Sequence, residues 1–296
     1  MKILTESSGS LVSGYLINAI KSSGNISVAS DVDNFNHASH IADEFVQFPF
    51  SSEKDLWTKI EKILLSSKIE IVIPSFDETL LDWSLRKNYF LKKGIEIIIS
   101  DPSTLDTFLD KFNAYNFCLK NQIPTPKTSL SQKYSLVKPR LGRGGSGIYV
   151  GKEKQNMEGM ISQEVIEGKE YTVDCFFDRD CNPVYIIPRL RIDVVNGKST
   201  KGLVLEHEKI NQYVMKISNN ISFQGPINFQ FMEDKNNNLF FLEVNPRIAG
   251  GMALGFAASE NWISLIVENF IKKQNIKPKP IKFGLKMSRY YEESFF

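Results

Sequence analysis

Three side chains with strong polar chemistry alternate along one short segment of the chain. In the stretch "FLEVNPRIAGG", residues 241–251, Glu243, Asn245 and Arg247 occupy every second position, so a β-strand would place them on one face. Carboxylate and amide oxygens are ligands that Mg²⁺ accepts, and a guanidinium suits the charge of a transferring phosphoryl group. The segment therefore predicts a site for a metal-bound phosphate.

A β-hairpin is predicted to complete this site. Two apolar runs flank the polar turn "DKNNN", and a turn centred between Asn236 and Asn237 places Gln230 directly opposite Glu243. Gln230, Glu243 and Asn245 are thus predicted to hold Mg²⁺, or Mn²⁺ as an alternative, with phosphate and water supplying the other ligands. The alternative is a solvated strand that ends in an Asn-Pro turn.

A glycine-rich segment, "KPRLGRGGSGIYV", suggests where the phosphates would lie. Gly142, Gly144 and Gly147 formally satisfy the dinucleotide fingerprint G-x-G-x-x-G, but that fingerprint requires a helix to follow, and "GIYVGKE" is strand-like. We therefore predict a hairpin whose backbone folds over a polyphosphate, with the Lys138 ammonium beside it. A flexible surface hairpin with a solvated lysine is the alternative.

A nicotinamide or flavin enzyme is a weaker hypothesis. The strand–loop–helix pattern at the N-terminus, "ILTESSGSLVSGYL", has only Gly9 and Gly14, although Asp31 ends the second predicted strand at a suitable distance. Because the fingerprint is incomplete, a substrate-binding or structural role for this first layer is preferred.

The elements that position these segments show two patterns of predicted secondary structure. Over residues 1–100, short β-branched runs alternate with helical patterns, which predicts a parallel α/β layer. The runs lie at 2–5, 26–30, 69–74 and 95–99, and the helical patterns at 11–23, 53–67 and 78–93. Beyond residue 100 the pattern predicts antiparallel strands, interrupted by helices at about 206–220 and 253–272.

Composition excludes several classes of protein. The 296 residues carry a formal charge of +2 with dispersed lysines, so no nucleic-acid interface is expected. The first twenty residues match neither a signal peptide nor a membrane span, which predicts a cytoplasmic protein without membrane contact. Three histidines are too few and too scattered for a zinc site. The cysteines, which form no CxxC pair, are expected to be reduced: Cys118, Cys175 and Cys181.

Four segments in chain order resemble the ATP-grasp superfamily, in particular its branch of carboxylate–amine ligases similar to the carbamoyl phosphate synthase large subunit. The segments are "DKFNAYNFCLKNQIPTP", "LVKPRLGRGGSG", "ISQEVIEGKEYTVD" and "NFQF…FLEVNPRIAGG". The resemblance implies a parallel α/β domain of the type that precedes ATP-grasp folds, followed by an α+β ATP-grasp fold of two subdomains. The implied limits are 1–100 for the first domain, 101–165 for subdomain A, and 166–296 for subdomain B with its C-terminal helix and tail.

The resemblance also implies how ATP is held. Lys111 would reach the α-phosphate, Lys138 the α- and β-phosphates, and Glu170 the ribose hydroxyls. The loop expected to close over the triphosphate comprises Gly142, Gly144, Gly145, Ser146 and Gly147. The link expected to hold adenine, through backbone groups and one polar side chain, comprises Gln163, Glu164, Val165 and Ile166.

The activity that the resemblance implies is ATP- and Mg²⁺-dependent ligation. A carboxylate would attack the γ-phosphate beside Arg247, and an amine would displace phosphate from the resulting acyl phosphate. Arg189 and Arg191, with Lys201 nearby, are candidates for capturing the substrate carboxylate, and surface ion pairs are the equal alternative. The expected partners are a small carboxylate and a small amine, with a homodimer through the first domain.

Two other activities remain open from the sequence. A related kinase would transfer the phosphate and stop, and a non-catalytic protein would bind the nucleotide without turnover. The segment "PSFDETLLDW" also follows a strand where open α/β sheets bind ligands, although Ser75 or Asp77 would equally suit a helix cap.

Overall fold

A five-stranded parallel sheet forms the first part of the computed structural model, which describes residues 1–10, 12–142, 145–195, 198–290 and 292–295, and no side chains at 194, 195 and 198. Its strands are β1 (Lys2–Thr5), β2 (Ile26–Asp31), β3 (Glu44–Gln47), β4 (Ile71–Ile73) and β5 (Glu96–Ile97). The helices between them are α1 (Gly14–Ser22), α2 (Ala38–Ile41), α3 (Leu56–Ser66) and α4 (Asp77–Leu91). The predicted parallel layer is confirmed, with the edge strand β3 and helix α2 added to it.

The strand order of this sheet, β3-β2-β1-β4-β5, reverses direction between β1 and β4. Ligands of open α/β sheets bind outside the carboxyl ends of the strands at such a reversal. Glu6, which follows β1, ties the two loops together there: it accepts hydrogen bonds from the backbone N–H of Ser75 at 3.1 Å and the Trp83 Nε1 at 3.1 Å. Burial raises the pKa of Glu6.

Two antiparallel sheets make up the rest of the protein. Helices α5 (Pro102–Leu109) and α6 (Lys111–Lys120) lead into a four-stranded sheet of order β6-β9-β7-β8. Its strands are β6 (Thr128–Ser129), β7 (Leu136–Pro139), β8 (Tyr149–Val150) and β9 (Met160–Gln163). The second sheet has six strands in the order β14-β13-β10-β11-β12-β15.

The strands of this larger sheet are long, and one helix lies among them in sequence. They are β10 (Gly168–Phe177), β11 (Pro183–Val195), β12 (Lys198–Val204), β13 (Gly225–Asp234), β14 (Leu239–Asn245) and β15 (Lys286–Ser288), with α7 (Glu208–Ser218) between β12 and β13. The single helix expected at 253–272 is wrong. It is broken into α8 (Ala253–Ala258), α9 (Trp262–Ile266) and a π-helical turn, because the Asn261 side chain caps a new helix by accepting from the Ile263 N–H at 3.0 Å.

A shared hydrophobic core fixes the first sheet against the larger antiparallel sheet. Ile3 of β1 and Leu16 of α1 belong to the same buried cluster as Ile187 of β11, Leu254 of α8 and Trp262 of α9. A core that is continuous across both layers holds their facing loops at a fixed separation. The space between those loops is the candidate site.

The cysteines are reduced, as the sequence predicts. Cys118, Cys175 and Cys181 are free thiols. Burial raises the pKa of Cys118 to about 12 and that of Cys175 well above its ordinary value, so both stay protonated at neutral pH. Across the described ranges, no helix is long and apolar enough to cross a membrane.

Candidate active site

A cavity of about 710 Å³ opens between the loops of the first sheet and the inner face of the six-stranded sheet. It is bounded by the loops after β1 and β4, the glycine-rich hairpin, strands β10, β11, β13 and β14, and the residue after β15. The predicted site residues that line it are Lys111, Lys138, Gly142, Gly145, Ser146, Glu170, Arg189, Arg191, Gln230, Glu243, Asn245 and Arg247.

The predicted pairing is confirmed in the hairpin formed by β13 and β14, which we name the metal hairpin after the site predicted on it. Gln230 lies opposite Glu243 in the β13–β14 ladder, and Asn245 lies opposite Asn228, so all four side chains reach the same cavity. A bulge at Leu242 separates this register from that of the turn. Within the described ranges, neither the Gln230 nor the Glu243 side chain has a hydrogen bond or ion pair.

The unpaired side-chain oxygens of Gln230 and Glu243 are suited to binding a hard cation. One carboxylate and adjacent amide oxygens match the ligands of Mg²⁺, and a polar side chain left without a protein partner in a cavity is available to a ligand. Asn245 is less free, because its Oδ1 accepts from Arg247 Nη2 at 3.4 Å. The described part of the chain holds no cluster of three or more His, Cys, Asp or Glu suited to a metal.

Lys138, in β7, faces the metal hairpin from the other sheet. Burial lowers the pKa of its ammonium group, the charge of Glu243 raises it, and that of Lys111 lowers it. No hydrogen-bond acceptor is paired with its Nζ within the described ranges. A desolvated cation beside a free carboxylate is suited to a ligand that carries both phosphates and a metal.

Lys111 is held at the base of the glycine-rich hairpin. Its Nζ donates to the Gly142 carbonyl at 2.7 Å, and its backbone N–H donates to the Arg140 carbonyl at 3.0 Å. Arg140 in turn pairs with Asp110, whose side chain caps α6 by accepting from the Phe112 N–H at 2.8 Å. The cap and the ion pair together place the Lys111 ammonium at the cavity.

The strands on either side of the glycine-rich segment, β7 and β8, pair antiparallel, as predicted. The element that follows the segment is a strand rather than a helix, so the dinucleotide interpretation of this segment is wrong. Gly142 has φ +114° and Gly145 has φ +71°, conformations that favour glycine. Gly147 does not line the cavity, and the predicted Gly144 lies outside the described residues.

The segment predicted to hold adenine lies beyond the lining of the cavity. Gln163 is buried, and its side chain donates to Thr128 Oγ1 at 2.9 Å, so it is engaged within the small sheet. The Glu164 N–H donates to the Lys127 carbonyl at 2.9 Å. The backbone groups of Val165 and Ile166 have no hydrogen-bond partner in the described part of the chain, which leaves them open to a ligand edge.

Arg189 is buried rather than exposed for substrate capture. Its side chain is 2% exposed, and its Nε lies 2.6 Å from Asp174 Oδ2, while its Nη2 donates to Oδ1 at 2.7 Å. Gly251 makes room for this pair, because a Cβ there would lie 3.0 Å from Arg189 Nη2. The alternative of a surface ion pair therefore does not hold for Arg189, which is buried, and the glycine is explained by its protein neighbour.

The two neighbouring cations are also paired with carboxylates. Arg191 pairs with Glu170, the residue predicted to hold ribose, and its Nε donates to Ser199 Oγ at 3.0 Å. Lys201 lies 2.5 Å from Asp193, with both side chains 55% exposed, as in the surface alternative. Each of the three cations predicted to capture a substrate carboxylate therefore has an acidic partner in the protein.

Arg247 lines the cavity, but a residue of the first domain holds it. Its guanidinium pairs with Asp77, the first residue of α4, with Nη2 donating to Oδ2 at 3.1 Å. Nη1 donates to the Ile248 carbonyl at 3.1 Å. Asp77 is thus not a helix cap: its carboxylate ties the first sheet to the loop that follows the metal hairpin.

Sequence reasoning missed several lining residues. Thr172 is buried, and its hydroxyl has no partner in the described ranges, so it is available to a ligand. The two-residue period from Glu170 would have placed it on the site face, as the period from Gln230 would have placed Asn228. Arg289, which follows β15, gave no sequence signal, because that strand is only three residues long.

Comparisons of sequence and fold relate the chain to known proteins. Residues 156–293 match a family model described as "ATP-grasp in the biosynthetic pathway with Ter operon". The carbamoyl phosphate synthase arginine-specific large chain of Bacillus subtilis (strain 168) is 26% identical over 191 residues, which are 53% of this chain and 18% of that one. The chain thus spans less than a fifth of this curated relative.

Solved structures show the same fold over nearly the whole chain. Biotin carboxylase from Campylobacter jejuni, in a complex with β,γ-ATP, superposes with a TM-score of 0.72 at 15% identity, covering 96% of this chain and 73% of that one. An L-amino acid ligase from Bacillus licheniformis gives a TM-score of 0.71 at 14% identity, covering 94% and 75%. The fold of the chain is the one that these solved structures share. Residues 156–293 thus match an ATP-grasp family model, and the chain is similar in sequence to the carbamoyl phosphate synthase large chain.

Proposed function

We propose that the protein is an ATP- and Mg²⁺-dependent ligase that joins a carboxylate to an amine through an acyl phosphate. The observation that carries this proposal is the cluster of free polar groups that face one another across the cavity: Lys138, Gln230 and Glu243. The carbamoyl phosphate synthase relative and the L-amino acid ligase neighbour support carbon–nitrogen bond formation.

The nucleotide would lie between the small sheet and the large one. Lys111 and Lys138 would neutralise the phosphates, and the 142–147 hairpin would donate backbone N–H groups to them. The open backbone groups of Val165 and Ile166 would receive the adenine edge. Glu170 would accept from the ribose through the oxygen not engaged by Arg191.

Gln230, Glu243 and Asn245 would hold the metal ion, which supplies charge neutralisation to the phosphates. With only one carboxylate in this set, we infer a single well-held Mg²⁺. Arg247 would bind the γ-phosphate, and doing so would require it to release or share Asp77.

The reaction then follows in two balanced steps. A carboxylate oxygen attacks the γ-phosphorus, the bond to the β-phosphate oxygen breaks, and ADP leaves. The amine nitrogen attacks the acyl carbon, and phosphate leaves with one of the original carboxylate oxygens. The nitrogen loses a proton, and an amide is formed.

The domain limits of 1–100, 101–165 and 166–296 accompany this proposal and are supported by the three separate sheets. A homodimer through the first domain is also part of it, and light scattering of the purified protein tests it. The domain limits are tested by limited proteolysis, which should cleave first between these units.

A phosphate-release screen tests the proposed activity. The protein is incubated with ATP, Mg²⁺ and pooled amino acids and small carboxylates, beside Glu243→Ala and the control Glu167→Ala, which removes an exposed acid paired with Lys235. Release should require a carboxylate, disappear in Glu243→Ala and persist in the control. A stable phosphorylated product without free phosphate would establish a kinase instead.

Thermal shifts separate the remaining alternatives. Saturating Mg–ATP at a hundredfold excess over Kd should stabilise the protein by about 2.7 kcal/mol. A shift with NAD and none with Mg–ATP would contradict the proposal. A shift with Mg–ATP in a protein that turns over no substrate would indicate a non-catalytic nucleotide-binding protein.

A further inference from the structure

In the described part of the chain, four arginines line the cavity, and three of them have carboxylate partners. A paired guanidinium carries little net charge toward a ligand, because its partner already neutralises it. The fourth is Arg289. The three pairs are Arg189 with Asp174, Arg191 with Glu170, and Arg247 with Asp77.

Arg289 donates only to backbone carbonyl groups. Its Nη2 donates to the Gly250 carbonyl at 2.6 Å, and its Nε donates to the Ser199 carbonyl at 3.2 Å. Within the described ranges, no carboxylate is paired with it. Burial lowers the pKa of this guanidinium, the Tyr15 phenol raises it and Arg189 lowers it, yet an arginine stays charged at neutral pH. A partly buried positive charge without a counter-ion is costly unless an anion binds to it.

The surroundings of Arg289 place it on the first-sheet side of the cavity. A Cβ on Gly250 would lie 2.1 Å from Val12 Cγ2, and the Tyr15 hydroxyl donates to the Ala249 carbonyl at 2.8 Å. Arg289 therefore lies near the contact between the β1–α1 loop and the segment after β14. The charged groups that act on Lys138 are Glu243 and Lys111, whereas those that act on Arg289 are Tyr15 and Arg189. Lys138 and Arg289 thus have different neighbours in the cavity.

We propose that Arg289 binds the carboxylate of the substrate, so that the substrate class is small carboxylic acids, amino acids included. This inference rests on the proposed function and moves the substrate-binding role from Arg189, Arg191 and Lys201 to Arg289. The backbone bonds from Nε and Nη2 hold the guanidinium plane fixed, which leaves its remaining donors for a charged acceptor. Serine hydroxyls of the β1–α1 loop line the same cavity and suit a polar substrate: Ser7, Ser10 and Ser13.

Direct binding tests the inference without turnover. The protein is saturated with Mg²⁺ and a non-hydrolysable ATP analogue, and titrated by calorimetry with acetate, succinate, L-alanine and L-glutamate, and with the amide of each. Arg289→Gln is compared with the wild type and with the control Lys286→Gln, which removes an exposed charge from the strand that precedes Arg289. Arg289→Lys serves as a second variant that keeps the positive charge and loses the planar, two-pronged donor geometry of the guanidinium.

We expect at least one carboxylate to bind the wild type and Lys286→Gln equally and to bind Arg289→Gln at least about tenfold more weakly, with Arg289→Lys in between. Affinity for the nucleotide analogue should stay the same in all four proteins. Equal carboxylate affinity in Arg289→Gln and the wild type overturns the inference, as does a wild type that binds none of the carboxylates. If Arg289→Gln loses carboxylate binding and the wild type releases no phosphate, the proposed ligase function fails and the inference stands.

Discussion

Arg247 and Asp77 form an ion pair although 170 positions separate them in the chain. Their side chains are 12% and 14% exposed. Asp77 begins α4 of the first domain, and Arg247 follows the metal hairpin of the large sheet, so the pair joins the two walls of the cavity. It also neutralises the arginine that we propose for the γ-phosphate.

Removing the charge of Asp77 should therefore destabilise the protein. In Asp77→Asn the mostly buried Arg247 loses its counter-ion, and the free energy of unfolding should fall by about 3 kcal/mol. Asp82→Asn, which breaks the exposed pair with Arg86 on the same helix, should cost at most about 0.5 kcal/mol. Urea denaturation measures both changes, and equal losses in the two variants would refute this view of the pair.

Nucleotide binding should be coupled to the protonation of Lys138. Burial lowers the pKa of Lys138 from its ordinary 10.5, so folding favours the uncharged amine. The contribution of Lys138 to the free energy of unfolding therefore rises with pH between the lowered pKa and 10.5. Bound phosphates favour the ammonium form. Affinity for Mg–ATP should fall as pH rises through the lowered pKa, with uptake of a proton on binding.

Calorimetry in buffers of different ionisation enthalpy measures this uptake. Lys138→Met should abolish it, whereas Lys62→Met, at an exposed position of α3, should leave it unchanged. Proton release on binding, or uptake that persists in Lys138→Met, would show that Lys138 does not meet the phosphates.

Gly255 of α8 is expected to be required for the buried pair beneath the cavity. A Cβ at this position would lie 2.6 Å from Asp174 Oδ2, and Asp174 is held by Arg189 and by Asn228 Nδ2 at 2.9 Å. Gly255→Ala should lower the free energy of unfolding by about 1–3 kcal/mol.

Gly14→Ala is the matched control, because the nearest atom to its added Cβ is Ile41 Cδ1 at an ordinary 3.6 Å. This helical glycine should tolerate alanine or gain less than about 1 kcal/mol. Thermal denaturation compares the two variants, and a Gly255→Ala protein as stable as the wild type would mean that Asp174 moves freely.

Local patterns in the sequence predicted the parts of the site that depend on one hairpin. The turn "DKNNN" and the two-residue period were sufficient to pair Gln230 with Glu243, and the strand after the glycine-rich segment was sufficient to exclude a dinucleotide loop. The parallel sheet followed from its buried strands. The edge strand β3 did not, because its four residues are at most half-buried and lack a strong apolar pattern.

Local patterns could not predict ion-pair partners that come from elements far apart in the chain. The neutralisation of Arg189 by Asp174 depends on how β10 pairs with β11, and that of Arg247 depends on how α4 lies against the segment after β14. The sequence showed which cations were near the site. It did not show which of these cations are already paired with an acidic residue. The prediction therefore named three paired cations and omitted Arg289.

Isotope transfer from the carboxylate tests the central claim most directly. A substrate found in the phosphate-release screen is prepared with ¹⁸O in its carboxylate and incubated with ATP, Mg²⁺ and the amine, and the released phosphate is analysed by mass spectrometry. The acyl-phosphate route predicts one ¹⁸O atom in each phosphate, because the carboxylate oxygen that attacks the γ-phosphorus leaves with it. Unlabelled phosphate would contradict the account, since the phosphoryl group would then have been transferred to water.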